Sequence, residues 1–333
     1  MTQQASKHAG TSNGSMSDEP ESPIDIKDEC PSLTKEQLDR PTSEVYEAKH
    51  LTPGKSKNDG SNFTGKYAHH RMRLDYSYHK VPVKRRQKLQ DSLIDWIISQ
   101  RTKECHSCKN HSGHPTVLFT AGAMASGKGH TLRYCLKNGT VSLPEDFIWV
   151  DPDKIARHLP EYEQYLKYDQ DSAPEKLHPE ASMLQEILSL IARERKRSLV
   201  IDGSLSDGDW FKQVMQNFRE DGYNIEIFFV FADLPIMEKR AKQREKQTGR
   251  QTDLEQIRRT AESAPKSVEQ LAHKDYVDRV RLLDNSSNES PPHVVYDSAE
   301  DAGFEEEGNT VDVMKWIKIE QASAEHHANN AKM

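Results

Sequence analysis

The sequence predicts an α/β fold in which a parallel sheet of about five strands is covered by helices on both faces. Two observations support this prediction. Short apolar runs alternate along the chain with longer stretches whose apolar residues recur at helical spacing. The apolar runs are continuous, as in strands that are buried on both faces. The candidate strands are residues 116–121, 147–150, 198–201, 225–232 and 277–283.

Three apolar stripes at helical spacing predict amphipathic helices around these strands. The first stripe precedes the sheet and follows a basic segment, and we expect that helix to pack on the sheet rather than to bind a partner. The stripes are Leu89, Leu93, Ile94, Ile97 and Ile98; Met183, Leu184, Ile187, Leu188 and Ile191; and Trp210, Phe211, Val214, Met215 and Phe218.

The two ends of the chain differ in composition from its middle. Residues 1–65 are rich in Ser, Lys, Asp, Glu, Pro and Gly and lack apolar periodicity, which predicts a disordered arm. Residues 66–318 are predicted to form the folded domain, and residues 319–333 a flexible tail. On this division the arm is dispensable for activity and for stability.

The composition limits the classes of function. The 333 residues carry 46 basic and 53 acidic side chains, and the net charge of −7 argues against a nucleic-acid partner. No apolar run approaches the roughly 20 residues of a membrane helix, and the first residues lack the apolar core of a secretory signal. Four cysteines do not form a disulfide framework in a chain of this length. We therefore expect a soluble cytoplasmic protein.

The first predicted strand leads directly into a phosphate-binding loop motif. Gly122 to Lys128 has the spacing G-x-x-x-x-G-K, and a helical stretch follows. The glycines let successive backbone N–H groups point at phosphate oxygens, and the lysine reaches the β- and γ-phosphates. A glycine-rich turn without a ligand is the alternative. The predicted nucleotide-binding residues are Gly122, Ala123, Met124, Ala125, Ser126, Gly127, Lys128, Gly129, His130 and Thr131.

One position departs from this motif. The residue after the lysine is normally Ser or Thr, whose hydroxyl ligates Mg²⁺, and here it is Gly129. Thr131 lies about 200° further around a helix and does not simply substitute. Either water fills that ligand position, or the loop places Thr131 or Ser126 there. The departure weakens the prediction of ordinary Mg²⁺ binding but not that of phosphate binding.

Charged residues follow the later strands. Asp151 and Asp153 come after the second strand, and Asp202 comes after the third. The carboxyl ends of parallel strands meet at the edge where such sheets bind ligands, so Asp202 could hold Mg²⁺ through water. We expect one of Asp151 and Asp153 to cap the next helix and the other to be functional.

Two arginines on the helix after the fourth strand could face a transferred phosphate. Arg240 and Arg244 are four residues apart and share one helix face. If they face the phosphate, they stabilise the charge of the transition state; if they face solvent, they contribute nothing. The spacing alone leaves both possibilities open.

In this order, the motifs resemble the zeta-toxin family of small-molecule kinases. The similarity covers roughly residues 116–251 and includes the segments GAMASGKGHT, DPDKIARHLPEY, HPEASMLQEIL, LVIDGSLSD and RAKQREKQTGR. It implies a P-loop kinase fold. It also implies transfer of the γ-phosphate of ATP or GTP to a sugar hydroxyl of UDP-N-acetylglucosamine.

The resemblance further implies roles for the matching residues. Lys128 is the phosphate-loop lysine, Asp153 the catalytic base, and Arg244 and Arg250 the arginines that clamp the phosphate. Glu186 lies off its apolar stripe, as a residue facing a cleft would. The residues that match substrate contacts are Glu186, Asp202, which replaces a longer family Glu, and Ser204.

A cluster of possible metal ligands precedes the first strand. Cys105, Cys108, His111 and His114 follow one another at three-residue intervals, and Zn²⁺ binds such sulfur and nitrogen ligands. A zinc finger, however, has a hairpin or helix between its two ligand pairs. We therefore favour a polar loop without metal.

The sequence thus predicts a kinase that uses ATP (or GTP) and Mg²⁺ to phosphorylate a hydroxyl of a small metabolite, with a UDP-amino sugar as the candidate acceptor. A kinase of nucleosides or nucleic-acid ends is one alternative. A nucleotide-binding regulatory protein that has lost catalysis is another, and Gly129 is its main support. The sequence identifies no protein partner.

Overall fold

A sheet of six strands organises the fold. The computed structural model describes residues 31–48, 62–102, 113–205, 208–248, 254–300 and 310–330. The strands are β1 (Thr116–Ala121), β2 (Ile148–Val150), β3 (Leu199–Ile201), β4 (Asn224–Phe231), β5 (Arg279–Asp284) and β6 (His293–Asp297). Their order across the sheet is β2-β3-β1-β4-β5-β6.

The first five strands run parallel, as predicted. β1 pairs with β3 on one side and with β4 on the other, so the loop that leaves β1 emerges in the middle of the sheet. The sixth strand was not predicted: β6 pairs antiparallel with β5 at the edge. It is short, and its first two residues are exposed, so it lacks the continuous apolar run that marked the others.

Both faces of the sheet are buried. Val117 and Phe119 of β1 are fully buried in a larger core on one face, whereas Leu118 lies in a smaller core on the other. Successive strand residues point to opposite faces, so a continuous apolar strand needs a helical layer on each side. This confirms the predicted α/β class.

Helices supply those layers. The larger core includes Leu93 and Ile94, which are fully buried, so the helix that carries them does pack on the sheet. Trp210 departs from its predicted stripe and is 43% exposed. The helices are α1 (Lys35–Leu38), α2 (Thr42–Val45), α3 (Ala68–Arg71), α4 (Lys84–Thr102), α5 (Lys128–Asn138), α6 (Pro152–Arg157), α7 (Tyr162–Tyr168), α8 (Ala173–Glu194), α9 (Gly208–Glu220), α10 (Leu234–Thr248), α11 (Leu254–Leu271) and α12 (Val313–Asn330).

The expectation of a disordered arm through residue 65 is wrong for residues 31–48. α1 and α2 lie in this segment, and Leu38 is buried in the larger core. The Tyr46 hydroxyl donates to Glu161 at 2.6 Å, and the Tyr165 hydroxyl donates to the Arg40 carbonyl at 2.7 Å. The segment is held by one buried leucine and by hydrogen bonds rather than by an apolar stripe. Its composition therefore did not indicate that it is folded.

The flexible tail predicted from residue 319 is also corrected, because α12 continues to Asn330. Val313 and Ile317 are buried in the larger core, and Asp312 accepts a hydrogen bond from the backbone of Lys315 at 2.8 Å. These contacts fix the first turns, and the helix extends beyond them. Among the described residues, no helix combines the length and the apolar character needed to span a membrane.

Candidate active site

The loop between β1 and α5 has the backbone geometry of a phosphate cradle. Gly122 has φ +133° and Gly127 has φ +89°, which is the region that glycine tolerates and other residues avoid. A Cβ at Gly122 would run into the Val230 carbonyl oxygen, and one at Gly127 would run into the Asn285 amide. The two glycines of the motif are therefore required by the fold itself.

Side chains from distant segments hold this loop in place. Asn285, which follows β5 and is buried, donates to the Ser126 carbonyl at 2.7 Å. Arg240 lies 3.4 Å from the same oxygen and is itself anchored by Asn288 at 2.9 Å. Sequence reasoning missed Asn285, because a lone Asn after a strand has no motif of its own. Arg240 therefore supports the loop instead of facing solvent.

Lys128 lies at the centre of the site. Its amine donates to the carbonyl oxygens of Gly122 and Ala123 at 3.0 and 3.1 Å. Burial lowers the pKa of Lys128, and three nearby carboxylates oppose that shift while a nearby guanidinium adds to it. The carboxylates are Asp202, Asp153 and Asp151, and the guanidinium is Arg244.

The structure separates the two aspartates that follow β2. Asp151 is the N-cap of α6, because its carboxylate accepts from the backbone N–H of Lys154 at 3.0 Å. Burial, with the negative charge of Asp202, raises the pKa of Asp151 to about 6. Asp153 lies in the first turn of α6 and is exposed. Asp153 is therefore the aspartate that is not used as the cap.

Asp202 is fixed at the end of β3 by the neighbouring strand. The Thr120 hydroxyl of β1 donates to Asp202 at 2.6 Å, and the same hydroxyl accepts from the backbone N–H of Gly203 at 3.1 Å. Ser204 follows two residues later and is half-buried. Thr120 is thus a second residue that sequence reasoning missed, since it was assigned only to the apolar strand.

Gly129 occupies the position next to Asp202. A Cβ at Gly129 would lie 3.8 Å from Asp202 Oδ2 and 3.6 Å from Arg133 Nη1, which is ordinary van der Waals contact. The hydroxyls of Ser126 and Thr131 are buried without a hydrogen-bond partner among the described residues. Both side chains are fully buried behind the loop.

Glu186 contacts a buried histidine from the N-terminal part of the chain. Glu186 lies on α8 and contacts His79 Nε2 at 2.9 Å, and that imidazole is almost completely buried. His79 belongs to the segment between α3 and α4. Glu186 is therefore partly covered by the N-terminal part of the chain, and its side chain stays 30% exposed.

The predicted phosphate-clamping arginines and the predicted metal cluster are only partly described by the structure. Arg244 is half-buried on α10 and close enough to lower the pKa of Lys128. Arg250 lies outside the described residues, as do Cys105, Cys108 and His111. The last predicted ligand of that cluster, His114, is exposed and contacts the Gly222 carbonyl at 3.0 Å.

Comparison with known proteins identifies the family. A family model described as Zeta toxin matches residues 99–301, which is more than half of the chain. The chain belongs to the zeta toxin family. The resemblance carried by the phosphate loop and the later motifs is thereby confirmed. No match was found among the curated proteins.

Two solved structures are similar to this chain, and the first of them supports the fold expected for the family. One is from the PezAT chromosomal toxin–antitoxin system of Streptococcus pneumoniae, with 17% identity, a TM-score of 0.51, and coverage of 64% of this chain and 83% of that one. Another is AvrRxo1-ORF1:AvrRxo1-ORF2 with sulphate ions, with 17% identity, a TM-score of 0.48, and coverage of 66% and 69%. At this identity the first likeness supports the fold alone.

The raised pKa of Asp151 makes the stability of this zeta toxin domain depend on pH. Because the pKa of Asp151 is higher in the folded chain than in the unfolded chain, its ionisation lowers the free energy of unfolding as the pH rises from about 4 to about 6. We expect Asp151→Asn, which keeps the helix cap, to raise the free energy of unfolding at pH 7.5 by on the order of 2 kcal/mol. At pH 4 the difference should vanish.

Denaturant unfolding in the presence of a chelator measures this difference. Asp171→Asn, at an exposed carboxylate before α8, is the matched control and should change little at either pH. A destabilised Asp151→Asn at pH 7.5 would show that the Asp151 charge stabilises the fold.

Proposed function

We propose that this protein is an ATP-dependent kinase that transfers the γ-phosphate to a hydroxyl of a small metabolite. The observation that carries the proposal is the convergence of Lys128 with Asp151, Asp153, Asp202 and Arg244 beside the phosphate loop. A cradle for phosphates, a carboxylate for the hydroxyl proton and a cation for the developing charge are the parts that phosphoryl transfer needs.

The phosphate loop would bind the triphosphate. Backbone N–H groups between Gly122 and Gly127 and the start of α5 supply donors and partial positive charge. On nucleotide binding, Lys128 would exchange its hydrogen bonds to loop carbonyls for bonds to phosphate oxygens. There its positive charge would stabilise the negative charge of the phosphates. Asn285 and Arg240 would keep the loop from relaxing during this exchange.

Asp153 would act as the general base. It is exposed, and it is near enough to Lys128 for its charge to raise the pKa of that amine, so we expect an acceptor hydroxyl to reach both the carboxylate and the phosphate loop. As the acceptor oxygen bonds to the γ-phosphorus, its proton passes to Asp153 and the bond from phosphorus to the β-phosphate oxygen breaks, releasing ADP. Arg244, with Arg250, would neutralise charge on the transferred group.

The carboxylates also fit a magnesium site. Asp202, positioned by Thr120, would hold Mg²⁺ through water, and a cation there would offset the repulsion between the carboxylates of Asp202 and Asp151. When bound, Mg²⁺ would neutralise the phosphates. Gly129 supplies no hydroxyl to this site, so we expect the ion to be held more weakly than in a loop with Ser or Thr.

Restoring that hydroxyl is a direct test of the magnesium assignment. The space at Gly129 accepts a side chain, because its nearest neighbours would be at van der Waals distance. We expect Gly129→Ser to lower the Mg²⁺ concentration for half-maximal activity about tenfold, a gain of about 1.4 kcal/mol. Gly129→Ala is the control without a hydroxyl, and an equal gain in both variants would contradict the assignment.

The acceptor that we propose is a UDP-amino sugar. Its support is the family resemblance together with Asp202 and Ser204 at the end of β3, next to the phosphate loop. Glu186 keeps 30% of its side chain exposed, and its contact with the buried His79 would fix the carboxylate that an acceptor meets.

ATP turnover, measured with and without UDP-N-acetylglucosamine, tests the proposed function. We expect slow hydrolysis alone and a marked increase with the acceptor. Gly129 favours a second candidate, a nucleotide-binding protein that has lost catalysis. Nucleotide binding without turnover across a panel of acceptors would support that candidate and overturn the kinase.

A further inference from the structure

A histidine pair and a glutamate converge at the C-terminal end of α8. His69 and His70 lie on α3, and Glu194 is the last residue of α8. Glu194 Oε2 lies 3.1 Å from His69 Nε2 and 2.7 Å from His70 Nε2. One ligand atom from each of the three residues lies within 4.8 Å of the others.

From this arrangement, we propose that His69, His70 and Glu194 form a binding site for a zinc ion that joins α3 to α8. Two imidazole nitrogens and one carboxylate oxygen are a ligand set that Zn²⁺ takes, with water in the fourth position. Ligands at tetrahedral zinc, about 2.0 to 2.1 Å from the ion, lie about 3.3 Å apart. The distances from Glu194 Oε2 to the two Nε2 atoms, 3.1 and 2.7 Å, would have to increase only slightly to reach this value.

The burial of the His70 side chain also points to a ligand at this place. The side chain is only 4% exposed. Its Nε2 contacts Glu194 at 2.7 Å, and its Nδ1 has no partner among the described residues. A zinc ion bound by both side chains would give the buried Nε2 a metal bond in place of this single contact.

The other two ligands are exposed to solvent, so an ion can reach the site. The side chains of His69 and Glu194 are 58% and 52% exposed, so an ion and its water can enter from solvent. His69 and His70 precede residue 99, where the family match begins, whereas Glu194 lies within it. The ion would therefore fasten the N-terminal segment of this chain to its kinase-like domain.

A second group of possible ligands among the described residues is weaker. Asp284, His293 and Glu320 also come within 4.8 Å of one another. None of the three is buried, and Asp284 Oδ1 already accepts from the hydroxyl and the backbone N–H of Ser286. The pair of His293 and Glu320 nevertheless matches His69 and Glu194 in distance, 3.1 Å, which makes it a useful control.

Zinc titration of the full-length, metal-depleted protein tests the proposal, with a chromogenic chelator as competitor. The background is Cys105→Ser with Cys108→Ser, so that these thiols cannot supply ligands. We expect one equivalent of Zn²⁺ to bind and to raise the melting temperature. His69→Gln and Glu194→Gln should each weaken binding more than the 10- to 100-fold that loss of an outer-shell partner costs, and should abolish the rise in melting temperature.

His293→Gln is the matched control and should bind zinc as the parent does. Equal affinity in the parent and in both His69→Gln and Glu194→Gln would overturn the site. Zinc binding that disappears with the two cysteine substitutions, or with His293→Gln, would also overturn it. Because His69 and Glu194 are exposed, their variants should fold, and tetrahedral Co²⁺ absorption gives an independent readout.

Discussion

Asp153→Asn should lower kcat by about 10²- to 10⁴-fold, the usual contribution of a positioned general base. Asn keeps the size of the side chain but cannot take the proton of the acceptor hydroxyl. The side chain lies on the first turn of α6, is exposed, and is not the helix cap. We therefore expect the fold and the affinity for ATP to be nearly unchanged, which separates a catalytic from a binding role.

Asp151→Asn is the internal control for this experiment. Asp151 belongs to the same charged cluster, but its carboxylate accepts a hydrogen bond from the backbone N–H of Lys154. Asn can replace it as a helix cap. Its loss of kcat should be much smaller. The reverse ranking would identify Asp151, whose pKa of about 6 also suits a base, as the proton acceptor.

Arg86→Ala should cause the largest loss of stability, about 3–5 kcal/mol. Arg86 is buried on α4, donates to Glu180 at 2.7 Å and to Glu161 at 2.9 Å, and is the charge that both carboxylates face. Burial lowers the pKa of Arg86, but the two glutamates outweigh it and raise the pKa overall. Without the guanidinium, two carboxylates would remain buried together.

Thermal and denaturant unfolding measure this loss. Lys88→Ala, at an exposed position on the same helix, is the matched control and should change the free energy of unfolding by less than about 0.5 kcal/mol. Combining Arg86→Met with Glu161→Gln and Glu180→Gln should recover part of the loss, because no buried charge is then unpaired. No recovery would mean that packing, and not charge, sets the cost.

The sheet and the phosphate loop could be predicted because local sequence determines them. Continuous apolar runs mark strands buried on two faces, and the loop glycines are required by their backbone angles. The capping role of one aspartate followed from its place between a strand and a helix. These features depend on neighbours in the sequence.

The remaining features depend on contacts between distant segments. Asn285 and Arg240 support the phosphate loop from positions more than one hundred residues away. No local pattern marks Asn285, and the spacing of Arg240 from Arg244 left open which way Arg240 faces. His79 covers Glu186 in the same way. Residues 31–48 pack through a few anchors such as Leu38, so composition alone suggested disorder. No local pattern encodes such pairings.

Transfer of label from γ-labelled ATP to a panel of hydroxyl-bearing metabolites tests the central claim most directly. The wild-type protein should place the label on an acceptor, with UDP-N-acetylglucosamine the first candidate. Lys128→Ala should abolish transfer and weaken ATP binding, because its amine lies at the centre of the charged cluster. Equal transfer by Lys128→Ala and the wild type would remove the phosphate loop from the mechanism, and transfer to no acceptor by the wild type would contradict the assignment as a kinase.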